Sequence, residues 1–276
     1  KIGLGFLLDN LLGANSVETL ITNGNSAHRL ILGTTKEYLT IEHAGLGSTD
    51  DRQFSACRVT EIVIRFNAGE GPVTYRVTLQ GFSHVDTGAS AVQITDNNRN
   101  AFMGWQGTAE VRGSTNTRLI SAEWTLRRSP SRYYSATNTQ NFADLYLGPL
   151  EVTCSLVFDY SVVTEIDIPR TNQQGTLATR FGSAASTLDL TTEETFAIGM
   201  ENATFIDAPA ELDNSGENVT LGLVARGLDS VASTLTTQNA TPGTASSFFG
   251  SATPVAATAQ NGPVIIHIVQ RQTDQY

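Results

Sequence analysis

The side chains best suited to binding a metal or moving a proton are four histidines, His28, His43, His84 and His267. Their spacing argues against both uses, because none has a His or Cys partner a few positions away, the local pairing on which zinc sites are built. Serine is abundant, yet no G-x-S-x-G elbow singles one out as a nucleophile. No G-x-x-x-x-G-K-[ST] or G-x-G-x-x-G loop is present to cradle a phosphate. Two carboxylates facing one cleft are the machinery of glycoside hydrolysis, and Asp50/Asp51, Glu193/Glu194 and Glu201 are the candidates for it. The first two pairs are adjacent in sequence, so on a strand their members point to opposite faces, and a solvated loop is the better reading. The run Asp96-Asn97-Asn98-Arg99-Asn100 lacks the spaced carboxylates and late Glu of a calcium loop and reads as a polar turn. No catalytic residue, metal ligand or cofactor site is assigned.

Composition points the same way. The 276 residues are 40% hydrophobic and only 16% charged, with Thr, Ser, Asn and Gln filling the deficit. Those residues suit strand faces and turns better than helix interiors. The net charge of −10 excludes a clamp on nucleic acid built from clustered Lys and Arg, although such a wall would keep DNA at a distance. Cys57 and Cys154 are too few for a disulfide framework, and each sits in an apolar, strand-like context that suits a reduced core thiol. No run of 18 apolar residues is present to span a membrane as a helix. The opening KIGLGFLLDNLLG lacks a small-residue cleavage site and a strong basic start, so it is not read as a signal peptide. The chain begins at Lys1, as a processed chain or a piece of a longer one would.

Alternation with a period of two is the dominant pattern. In VTEIVIRF, Ile62, Ile64 and Phe66 share one face while Glu61 and Arg65 share the other. A Gly69–Pro72 turn then leads into VTYRVTLQGF, which predicts a hairpin. LISAEWTLR and LEVTCSLVFD alternate in the same way and predict a second pair of strands. The segment between them, 128–148, is longer than a hairpin needs and is expected to be a long loop. ATRF, TFAIGM, ATFID and NVTLGLVARGL are further strand candidates, with a turn at Asn214–Gly216. Residues 160–174 are the expected short helix, ended by Pro169. Residues 1–36 are expected to be an arm or extra strands. Residues 229–262, rich in Ser, Thr, Ala and Gly, are expected to be an extended loop or arm, ahead of a final strand and tail over 263–276. The whole reads as a single domain whose core spans 37–228.

Four segments, taken in order, resemble the tail tube proteins of long-tailed bacteriophages. They are EYLTIEHAGLGSTDDRQFSACRVTEIVIRFNAGEGPVTYRVTLQGF (37–82), AFMGWQGTAEVRGSTNTRLISAEWTLRR (101–128), LGPLEVTCSLVFDYS (147–161) and TFAIGMENATFIDAPAELDNSGENVTLGLVARGLDS (195–230). The resemblance lies in the order and spacing of strands. It implies a mainly β, sandwich or barrel-like tail tube fold with one short flanking helix and long loops or arms. It further implies rings, of six subunits in that family, that stack into a hollow conduit for double-stranded DNA during genome ejection. The implied partners are further copies of the chain and other tail proteins (tape measure, tail terminator and tail tip), with DNA passing unbound and no membrane involved. The implied place is the virion tail, assembled in the cytoplasm of a bacterial host.

On that reading a polar strand face would line the lumen. The candidates are Thr74, Arg76, Thr78 and Gln80; Ser121, Glu123 and Thr125; and Glu151, Thr153, Ser155 and Asp159. Candidate contacts between subunits are the loop aromatics Tyr133, Tyr134, Phe142, Tyr146, Phe248 and Phe249, because rigid aromatic side chains anchor interfaces. Arm candidates are 1–36, 43–56, 128–148 and 229–262. The rival readings are another β-sandwich virion protein, such as a capsid decoration or tail-tip component, and a β-sandwich carbohydrate-active enzyme.

Overall fold

Alternating side chains need a second apolar layer to bury their inner face, and the chain supplies it by folding one antiparallel sheet back over itself. The computed structural model describes residues 2–13, 17–21, 25–34, 37–43, 52–69, 71–86, 101–112, 114–116, 118–136, 142–159, 174–182, 195–208, 210–212, 219–228 and 263–271. In chain order the elements begin with helix α1 (Ile2–Leu12), then β1 (Val17–Ile21), β2 (Asn25–Ile31), β3 (Leu39–His43) and β4 (Arg52–Asn67). Next come β5 (Thr74–Gln80), β6 (Ser83–Asp86), β7 (Gly107–Val111), β8 (Ser114–Asn116), β9 (Leu119–Tyr133) and β10 (Asp144–Asp159). The last are β11 (Gln174–Gly182), β12 (Thr195–Asp207), β13 (Ala210–Leu212), β14 (Val219–Gly227) and β15 (Ile265–Arg271). The fold is thus mainly β.

The main path runs β1-β2-β15-β12-β14-β10-β9-β4-β3, with β5 and β6 on β4 and with β11, β7 and β8 extending from β12. The β12–β11–β7 layer lies over β4, β9 and β10, as the ring contact of Phe66 with Phe181 (4.6 Å between centroids) shows. Trp124 Nε1 on β9 also donates across the core to Thr179 Oγ1 on β11, at 2.8 Å. Ile62, Ile64, Trp124, Leu126, Val152, Cys154, Leu156 and Phe158 are buried between the layers. Each such side chain contributes about 1.5–3 kcal/mol.

The predicted hairpin and the predicted second pair of strands both form: β4 pairs with β5, and β9 with β10, all antiparallel. An extra residue, Thr60, sits on β4 between the pairs Val59↔Leu79 and Glu61↔Thr78, a β-bulge. The bulge frees the Val59 N–H, which donates to Asn10 Oδ1 at 2.8 Å, while Asn10 Nδ2 donates to the Glu37 carbonyl at 2.9 Å. Helix α1 is pinned there, with Leu8, Leu11 and Leu12 fully buried. It ends at Gly13, whose φ of +61° and N–H bond to the Asp9 carbonyl (2.8 Å) make a left-handed cap.

Several expectations are corrected or displaced. Residues 2–12 are this helix and not an arm, whereas 17–21 and 25–31 are extra strands, with β2 pairing β15. The expected helix at 160–174 lies, apart from Gln174, outside the described residues; so do the turn at 214–216 and the arm at 229–262. The expected loop 128–148 is strand at both ends, β9 running to Tyr133 and β10 starting at Asp144. A register shift between Leu147 and Leu150 accommodates Gly148 and Pro149, so the pairing continues past them. Of the arm candidate 43–56, residues 52–56 lie in β4. ATFID is no separate strand but the continuation of TFAIGM in β12.

Candidate functional site

Strand pairing gathers ten of the eleven predicted lumen residues onto one face of one sheet, β5–β4–β9–β10–β14. Directly opposed residues point to the same side. One row across the strands reads Thr74, Arg65, Glu123, Ser155, Val224. The next reads Arg76, Val63, Thr125, Thr153, Arg226, and the third Thr78, Glu61, Arg127, Glu151. Ser121 sits between Asn67 and Val157, and Asp159 faces Thr220. Gln80 is the exception: beyond the bulge it pairs with Arg58, and its side-chain amide faces the guanidinium of Arg132.

The alternation that makes this face polar makes its reverse the core. On β10, Glu151, Thr153, Ser155 and Asp159 are exposed while Val152, Cys154, Leu156 and Phe158 are buried. Ion pairs cross the face: Arg65 Nε meets Glu123 Oε2 at 2.6 Å, Arg76 meets Glu61 at 3.4 Å, and Arg118 meets Asp159 at 3.4 Å. Arg127 stands directly opposite both Glu61 and Glu151. Val63 lies on this face yet is 3% exposed, hemmed by Arg76 and Thr125 on either side. An open depression between Arg65, Thr74, Ser121, Glu123 and Ser155 carries one carboxylate, not the pair that glycoside hydrolysis needs.

Sequence reasoning missed five charged members of the face: Glu61, Arg65, Arg118, Arg127 and Arg226. The signal for the first two was present, since the alternation of VTEIVIRF sets them opposite Ile62 and Ile64. What was lacking was the partner strand.

The predicted aromatic contacts divide. Tyr133, Tyr134 and Tyr146 are more than half exposed at the far end of the β9–β10 hairpin, with Tyr133 and Tyr146 edge to face at 6.4 Å. Phe142 is 8% exposed: it packs within the chain against Phe82 (4.1 Å) and Tyr134 (6.4 Å), under the Arg132 guanidinium (5.6 Å). Phe248 and Phe249 lie outside the described residues. Trp105, 70% exposed in a single 3-10 turn, Gly104–Gln106, that packs on β4 and β11, joins the exposed aromatics.

Beneath the hairpin lies a group of polar residues. Arg128 donates from Nε to the Gly148 carbonyl (2.8 Å) and from its terminal nitrogens to the carbonyls of Leu147 and of Leu11, the last at the end of α1 (3.3 Å each). Buried Arg58 donates to the Leu145 carbonyl at 3.3 Å and lies over the Tyr38 ring. Burial lowers the pKa of both arginines; Arg58 lowers that of Arg128 further, while Tyr38 and Asp144 partly offset the shift at Arg58. Burial raises the thiol pKa of Cys57 and, more strongly, of Cys154, so neither is a poised nucleophile. The carboxyl of Glu201 is buried, and Asp50, Asp51, Glu193 and Glu194 lie outside the described residues. Among the described residues no three His, Cys, Asp or Glu side chains cluster as metal ligands.

Comparison with known proteins gives one family: a model described as phage tail tube protein matches residues 1–220. No curated protein matches. Among solved structures, a chain described as "Crystal structure of Hcp protein" is 13% identical, over 36% of this chain and 61% of that one, with a TM-score of 0.20. That likeness is too slight to carry an argument.

Proposed function

The chain belongs to the phage tail tube protein family, and on that premise we propose that it forms rings of six that stack into a hollow tube, with the β5–β4–β9–β10–β14 face turned to the lumen. It is a structural component of the virion tail, and on this reading its work is assembly and passive conduction of double-stranded DNA, without catalysis. The observation that carries the proposal is the single polar face itself, in which ten predicted lumen residues share one side of a five-stranded sheet. The edge of β5 that pairs with no other described strand would add strands to a neighbouring subunit, and ring closure would remove the aggregation hazard of an open edge. The exposed tyrosines at the hairpin end and Trp105 would anchor contacts to other copies. Tape measure, terminator and tip proteins would bind the tube, which would assemble in the bacterial cytoplasm.

The test is negative-stain electron microscopy at rising concentration, combined with labelling of a Thr153→Cys variant in the polymer. Long tubes of uniform width are expected, with the introduced thiol reached by a small maleimide but not by one carried on a particle wider than the lumen. Tubes whose introduced thiol reacts equally with both would place this face outside and sink the lumen assignment.

A further inference from the structure

The polar face differs from the rest of the chain in its charge. It holds five arginines (65, 76, 118, 127 and 226) and four carboxylates (Glu61, Glu123, Glu151 and Asp159), whereas the whole chain carries −10. A face meant only to repel a polyanion would carry no arginines. All the basic residues except Lys1 and Lys36 are arginine, whose planar fork pairs equally well with a carboxylate or a phosphate. The arginine of each ion pair on the face is also exposed, at 57%, 68% and 56% accessible, although Glu61 is only 26% accessible. Exposed pairs of this kind are weak and exchange readily.

We propose that Glu123, Glu61 and Asp159 act as masks, occupying Arg65, Arg76 and Arg118 so that the phosphates of duplex DNA cannot hold them. The inference rests on the lumen reading above and specifies how that wall meets its cargo. A passing phosphate competes with Glu123 for Arg65, with Glu61 for Arg76, and with Asp159 for Arg118. The tethered carboxylate is always present at the arginine and wins it back, so contacts are brief and the wall is neither adhesive nor strongly repulsive. Removing the masks turns the same surface into a phosphate-binding one.

The experiment uses the full chain before assembly, where the face is open to solvent. Fluorescence anisotropy of a labelled 20-base-pair duplex is followed across a salt series for the wild type and for the Glu61→Gln, Glu123→Gln, Asp159→Asn triple variant. A second triple variant, Glu37→Gln, Glu42→Gln, Asp207→Asn, makes the same change in net charge away from the face. The expected result is at least a tenfold gain in affinity for the first variant alone. Its log–log salt dependence should be steeper by up to about 3, for three arginines newly on phosphates. Thermal unfolding confirms that both variants are folded. No gain in the first variant, or an equal gain in the second, overturns the masking. Tube growth is scored separately by microscopy on the wild type, so failure of the tube reading and failure of the mask are told apart.

Discussion

Arginine occupies two contrasting settings in this chain. On the polar face, Arg65, Arg76 and Arg118 reach carboxylates across the surface and remain 57%, 68% and 56% accessible. At the base of the β9–β10 hairpin, buried Arg58 and half-buried Arg128 are held by backbone carbonyls. The first group can change partner at small cost, which suits a wall that something slides past. The second cannot, because any carbonyl it released would be left dry. One residue type thus serves exchange in one region and fixation in the other, and burial decides which.

The sharpest way to break that comparison is Arg128→Leu. It removes three charge-assisted bonds and strands the carbonyls of Gly148, Leu147 and Leu11, joining helix to hairpin no longer. A loss of about 3 kcal/mol is expected in denaturant unfolding. A loss no greater than that of a surface substitution would mean the cluster is dispensable. Arg58→Met comes next. Its charge has one carbonyl partner and an unbonded Nε, and an apolar chain of similar length fills the space, so about 1–2 kcal/mol is expected. If Arg58→Met costs more than Arg128→Leu, carbonyl count is the wrong measure.

These arginines also mark where sequence reasoning stopped. The alternations in β4, β5, β9 and β10 were plain, since each strand sets apolar against polar residues with a period of two. The assembly of their polar sides into one face depends on pairing partners and register, which lie outside any single segment. Arg128, followed by Ser129 and Pro130, has the composition of a loop. Its hydrogen bonds to carbonyls on the opposite strand hold an extended hairpin there instead. Helix α1 was hidden for a different reason. IGLGFLLDNLL is apolar nearly all round, so it lacks the contrast between faces by which a surface helix is recognised. Phe142 lies among polar residues in sequence, and only the folded chain brings Phe82 and Tyr134 against it.

On the exposed side, a double-mutant cycle on Arg65→Ala and Glu123→Ala should give a coupling under about 1 kcal/mol that shrinks as salt is added. A larger, salt-insensitive coupling would make the pair structural and erase the distinction between the two settings.

The smallest expected effect concerns acids, and it asks whether burial governs them as it governs the arginines. Glu110 is 4% exposed, and burial raises its pKa, an effect reduced by the hydrogen bond from Thr176. Burial also raises the pKa of Asp9, with a further push from the charge of Glu37, and Asp9 Oδ1 has no hydrogen-bond partner. A raised folded-state pKa means that the native state holds the proton more tightly than the unfolded chain does. Below the ordinary carboxyl range both states are protonated and neither group opposes folding. As pH rises through that range the unfolded chain ionises first, and stability falls until the native pKa is passed. Glu110→Gln and Asp9→Asn should therefore raise the unfolding midpoint near pH 7 and lose that advantage below about pH 4. A gain of equal size at both pH values would show that packing, and not the burial of charge, sets the cost at these two positions.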